Sequence, residues 1–203
     1  MNFYRRANQA VTLFIFFSMI NATARSIQSF KEGDEASVEN TFEWFYDYVS
    51  EYIFVLLWIY FQFFLRIKFM IDNDKFFTEP DINEVGKNNW EKLVHFYIFC
   101  SAGFFAALAA LFSFEIPSSM LLFSISILVS TIWIAVDKIN HKDSSKGIAM
   151  FIANVCYVIS AIIIMFSTSE GRYFNQISYL LLIIMYFVAF FDLIFTKTKD
   201  HMP

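Results

Sequence analysis

The side chain with the strongest claim to chemistry in this chain is Asp192, set in the apolar run QISYLLLIIMYFVAFFDLIF. An ionised carboxylate surrounded by hydrocarbon is costly without a task or a counter-charge, so Asp192 is a candidate intramembrane polar site, a proton or cation ligand. Lys197 follows little more than one helical turn later. An Asp192–Lys197 pair at the cytoplasmic edge of a membrane is the plainer reading, and the one the sequence favours. Ser126 and Ser130 form a second candidate, because a spacing of four places both hydroxyls on one helix face. They could line a polar path. Serine also bonds its own preceding turn and neighbouring helices, and links between helices are the expected role here. Asn21, Gln62 and Asn154 are further polar groups in apolar surroundings, and hydrogen bonds between helices account for them.

Other chemistries find no footing. His95, His141 and His201 are scattered along the chain and give no metal-ligand spacing. Cys100 and Cys156 both fall in apolar segments, where a thiol behaves as a small hydrophobe, and no disulfide, metal or redox role is expected. Asp72–Asn73–Asp74 opens like a calcium loop, but Phe76 stands where the third oxygen ligand belongs and Phe77 where glycine is needed. The chain has no HExxH, GxSxG, P-loop, GxGxxG or CxxC. The expectation is a protein that is not an enzyme and carries no cofactor and no metal.

The elements that must position these residues are long apolar helices. Of 203 residues, 58% are hydrophobic, 21% aromatic and 17% charged, with a mean hydropathy of +0.51; a soluble domain is nearer a quarter charged. Apolar segments lie at about 7–24, 52–71, 93–113, 118–136, 147–166 and 176–195. Each is close to the roughly 20 residues that span a hydrocarbon core of about 30 Å at about 1.5 Å per residue. The predicted fold is all-α, a polytopic transmembrane bundle of about six helices forming one integral membrane domain over residues 1–203. Arg5 and Arg6, the run AVTLFIFFSMI and small residues up to Ala24 also have the layout of a signal peptide. A retained first helix is the favoured reading; cleavage would leave five.

Two uncharged arms, His95–Phe114 and Ser118–Val136, are joined by a very short link at 114–117 and form the hairpin around which the rest is arranged. In its first arm Ala102, Gly103, Ala106 and Ala110 make one face nearly free of bulk, a surface on which a second backbone can approach closely.

The connections set the orientation. Residues 26–51 carry seven acidic side chains and a cluster of aromatics, and are expected outside the cell. The loop 72–92 is the longest predicted on the cytoplasmic side, and its Lys75, Lys87, Trp90 and Lys92 are the expected contact for a cytosolic protein partner. Alternate connections carry 12 and 3 Lys/Arg, which puts both termini of a protein integral to the cell membrane in the cytoplasm. Arg66 and Lys68 are counted on the cytoplasmic side, where their long stems could snorkel to the headgroups. The formal charge of −4, without a basic stripe, argues against direct nucleic-acid binding.

In size and helix layout, with an aromatic-rich helix at Tyr52–Ile71, little chain outside the bilayer and a polar inner loop at 72–92, the chain resembles the membrane subunits of bacterial phage-defence systems such as Kiwa. No motif carries the resemblance, so it transfers no functional residue. It implies a homo-oligomer in the inner membrane, in contact with membrane lipid, serving as membrane anchor or sensor for a cytosolic effector. An oligomeric ion channel or pore is the alternative from the residues themselves, with several copies supplying a shared Ser/Thr face.

Overall fold

A computed structural model describes residues 3–33, 50–78, 89–140, 144–169 and 176–195. They form six helices, α1 (Phe3–Gly33), α2 (Ser50–Thr78), α3 (Asn89–Leu111), α4 (Ile116–Asn140), α5 (Ser144–Ser169) and α6 (Gln176–Phe195), and no strand is present among the described residues. The fold is an all-α helical bundle. Helices α2, α5 and α6 each contain a stretch long and apolar enough to cross a membrane, at Tyr52–Phe69, Ile148–Thr168 and Gln176–Ile194. The apolar stretches of α3 and α4, Cys100–Leu111 and Ile116–Ile132, are shorter among the described residues.

The sequence creates this packing through heptad-like spacing. On α2, Phe54, Trp58, Phe61, Leu65 and Lys68 are buried, and on α6, Ser178, Leu182, Met185, Ala189 and Asp192 are buried. Both stripes advance by four, three, four and three residues, the period that keeps one seam of each helix against the other. The contacts climb in step, Phe54 on Tyr179 with centroids 5.3 Å apart and Phe61 on Tyr186 at 5.1 Å, so α2 and α6 run parallel. Tyr186 fastens the seam by donating from Oη to the Leu57 carbonyl at 2.7 Å.

A second buried stripe, Val55, Ile59, Gln62 and Arg66, turns from the first toward α1 and α3. Ile59 packs with Met19 of α1, and Phe16 meets Phe63 at 5.6 Å. Helix α2 therefore touches all five others: α1 through Phe63, α3 through Arg66 beside Gly103, α4 through Trp58, α5 through Phe61 against Tyr157, and α6 through Phe61 against Tyr186. Half of its apolar span is buried inside the bundle, against 33% for α6. The opposite faces are apolar and exposed, with Leu13, Phe17, Leu128, Ile159, Phe187 and Phe190 among them, as expected of helices whose solvent is lipid.

The α3–α4 turn is built locally. The chain reverses over 112–115, Glu115 N–H donates to the Phe112 carbonyl at 2.8 Å, and the Ser113 hydroxyl donates to the Ala110 carbonyl. Pro117 falls in the first turn of α4, where a missing N–H costs nothing because that donor has no intrahelical acceptor. Ser119 N–H reaches the Glu115 carbonyl at 2.9 Å to open the helix.

Two boundaries differ from the sequence reading. Helix α2 continues through Thr78, so residues 72–78 are helix rather than loop, and α1 continues through Gly33 into the segment read as an external connection. Both extensions are polar, and hydropathy, which locates apolar residues, does not register a helix that leaves the membrane intact.

Candidate functional site

The polar residues of α2 and their neighbours make the site. Lys68 and Asp192 continue the two parallel stripes, and their side chains meet with Lys68 Nζ 2.6 Å from Asp192 Oδ2. The two side chains are 0% and 2% exposed, so the charges are shielded from both lipid and water. The Lys68 ammonium also lies 5.4 Å from the centre of the Phe69 ring, near enough for cation–π attraction. Tyr157 of α5, 0% exposed, stands within electrostatic reach of Asp192, and its hydroxyl has no hydrogen-bond partner within the chain.

Asp192 pairs across the bundle with Lys68; Lys197, the partner expected along its own helix, lies outside the described residues. One expectation is corrected. Arg66 and Lys68 do not snorkel outward; they are buried at 5% and 1% exposure. The reason is register: on α2 the intervals that bury Phe54, Trp58, Phe61 and Leu65 carry Lys68 inward with them, and the matching interval on α6 carries Asp192. The signal was in the sequence as unbroken four-three spacing into each charge. Removing Arg66 and Lys68 from the cytoplasmic count leaves ten cations against three, so the orientation expected from charge keeps its sign.

On the second stripe, the Arg66 guanidinium rests against Gly103 of α3. A Cβ at Gly103 would stand 3.4 Å from Arg66 Nη2 and 3.3 Å from Val11 Cγ1 of α1. Gln62, one turn before Arg66, is 4% exposed, and neither its Oε1 nor its Nε2 has a hydrogen-bond partner within the chain. The interhelical bond expected of Gln62 is not made. Asn154 does make one, donating from Nδ2 to Thr131 Oγ1 at 3.1 Å, while Thr131 donates back to the Ile127 carbonyl at 2.8 Å. Asn21 is exposed.

Of the two hydroxyls that could have lined a path, one is used across the α3–α4 seam and the other within its own helix. Ser126 donates to the Ala102 carbonyl at 2.7 Å, and Ser130 donates to the Ser126 carbonyl of its own helix at 3.0 Å. Trp58 Nε1 donates to Ser119 Oγ at 2.7 Å, and Ser119 donates to the Ala109 carbonyl at 2.6 Å, a relay joining α2, α4 and α3. Ala102, Gly103 and Ala110 are buried and Ala106 is half-buried, and the small face is what lets serine oxygens reach a neighbouring backbone.

Of the expected partner contact, Lys87 lies outside the described residues; Lys75, Trp90 and Lys92 fall on helical backbone, with side chains outside those described. The side chain of His95 also lies outside those described, as do His141 and His201 entirely. Cys100 and Cys156 are half-buried free thiols. Among the described residues no group of three or more His, Cys, Asp or Glu could hold a metal ion.

The fold and site define a membrane-type all-α bundle in which, among the described residues, two buried cations lie on the central helix α2 and one buried acid on α6. No protein-family model, no curated protein and no solved structure matches the chain.

Proposed function

We propose that the protein is a membrane anchor and sensor subunit, assembled as a homo-oligomer in the inner membrane, that holds a cytosolic effector, and that its setting is defence against phage. The single observation that carries this reading is the placement of α2. It touches every other helix and then runs nine residues past the end of its apolar span, from Phe69 to Thr78, a helical arm of about 13 Å. A rearrangement anywhere in the bundle would be felt by this helix, and its arm bears Lys75 and leads toward Lys87, Trp90 and Lys92. The parallel seam to α6, closed by Lys68 and Asp192, ties the base of the arm to the helix that leads to the other polar end of the chain.

A channel built from a shared Ser/Thr face is less well supported, because Ser119 and Ser126 are committed to the α3–α4 seam and the outward faces are hydrocarbon. The test is affinity purification from mild detergent, comparing the native chain with Lys87→Glu/Lys92→Glu. Exposed charges steer and select partners, so the anchor reading expects a cytosolic protein that co-purifies with the native chain and is lost from the double variant. Ion flux from the purified protein alone in liposomes, with no co-purifying partner, would replace it with the channel.

A further inference from the structure

The bundle leaves one face of its central helix uncovered. Around α2 the other helices follow one another as the neighbours α1–α3, α3–α4, α4–α5 and α5–α6, an arc whose two ends are α1 and α6. Helix α1 meets α2 through Phe16 on Phe63, and α6 meets it through Tyr186 on the Leu57 carbonyl and the Phe61 ring. On the side between those contacts lie Ile53, Leu57 and Tyr60, which are 42%, 39% and 47% exposed, followed by Phe64 and Ile67, both half-buried. From this strip we infer the seam through which the homo-oligomer assembles: α2 of one copy lies parallel to α2 of a second copy across a twofold axis along the membrane normal, with Tyr60 paired to its own equivalent at the centre. The seam rests on the homo-oligomeric part of the anchor reading and gives that assembly its contact surface.

Two features of the strip point to a second copy of this chain rather than to lipid. The first is spacing. Ile53, Leu57, Tyr60, Phe64 and Ile67 advance by four, three, four and three residues, the repeat that keeps two parallel helices in contact along one seam. The same repeat seats α2 against the parallel helix α6 within the chain, and copies of one chain insert in one orientation, so α2 and its twin are parallel as well. The second feature is the Tyr60 hydroxyl. Tyr60 is the ninth residue of the 18-residue span Tyr52–Phe69, about 12–14 Å from either end, farther than a phenol reaches. Among the described residues its hydroxyl makes no hydrogen bond, whereas Tyr186 commits its own to Leu57. Lipid tails offer neither donor nor acceptor, so such a group draws helices together. A phenol both donates and accepts, and a twofold axis brings each Tyr60 to the depth of the other, one donating and one accepting. The connection 34–49, which precedes α2, carries five acids and no Lys or Arg, a composition too costly to lay along a strip that faces hydrocarbon.

The test is disulfide cross-linking of the full chain in native membranes, on a background of Cys100→Ala and Cys156→Ala. Leu57→Cys and Phe64→Cys, on either side of Tyr60, should each give a covalent dimer under mild oxidation. Leu128→Cys of α4 and Ile159→Cys of α5, exposed on other faces, should not. Tyr60→Phe in the otherwise native chain keeps the ring and removes the hydroxyl; it should weaken self-association about threefold or more, read by energy transfer between labelled copies diluted in liposomes. Should the cysteine-free background fail to fold, this comparison decides the matter. Dimers from positions 128 or 159 and none from the strip would overturn the seam while leaving a homo-oligomer, and a monomer at every position would remove both. Cross-linking of the strip to a different membrane protein, or undiminished self-association in Tyr60→Phe, would also overturn it.

Discussion

Lys68 and Asp192 stand on the same rung of two parallel helices, each the last buried member among the described residues of a four-three stripe that begins in aromatic and aliphatic contacts nearer the N-termini of α2 and α6. The pair is therefore a product of register. Charge found its partner because two apolar stripes had already aligned the helices.

Asp192→Asn should destabilise the protein strongly. It leaves the Lys68 ammonium buried against a neutral amide, and breaking a buried pair by removing one partner costs about 3–5 kcal/mol. Lys68→Met combined with Asp192→Leu should recover most of the loss, since a volume-matched apolar pair carries no desolvation cost. Thermal unfolding in detergent reads both. A double variant no better than the single one would show that the rung matters for something other than charge compensation.

Ala102→Leu should separate α3 from α4. The Ala102 carbonyl accepts the Ser126 hydroxyl at 2.7 Å, and added bulk at this approach costs about 1–3 kcal/mol by overpacking. Leu108→Ala, at a half-buried position outside that seam's hydrogen bonds, should cost less. Ala106→Leu should fall between the two, because Ala106 is only half-buried. The order of melting temperatures checks this.

Trp58→Phe should remove the bond from Nε1 to Ser119 while keeping the ring stack on Phe61, whose centroid is 5.9 Å away. Hydrogen bonds between membrane helices average about 0.6 kcal/mol and reach about 1.7. The loss should fall in that range, and Ser119→Ala should add little to it, because the two changes break the same relay. Full additivity in a double-mutant cycle would dissolve the relay into separate contacts.

The orientation is open to protease mapping. With ten cations on one set of connections and three on the other after the buried pair of cations is set aside, tags at Met1 and Pro203 should be protected in intact cells, while one beside Glu35 should be cut. External cleavage at Pro203 would reverse the assignment.

The sequence by itself determined that the fold is all-α and where the apolar part of each of the six described helices lies, though not how far α1 and α2 run beyond theirs. Runs such as GIAMFIANVCYVISAIIIMF can be stable only with every backbone group bonded within the segment. The small face at Ala102, Gly103, Ala106 and Ala110 was equally legible, because closeness of backbones requires absence of side chains and that is written in residue types. Tertiary structure decided where the charges went. Whether Lys68 leans outward or pairs inward, and whether Asp192 meets it, depends on which faces of two helices 124 residues apart in sequence come together. It also decided that Asn154 finds Thr131 while Gln62 finds no protein partner. A local sequence pattern fixes the face a residue occupies; the identity of what lies across from it is set only when separate helices pack, since the free energy that chooses among packings comes from many contacts at once.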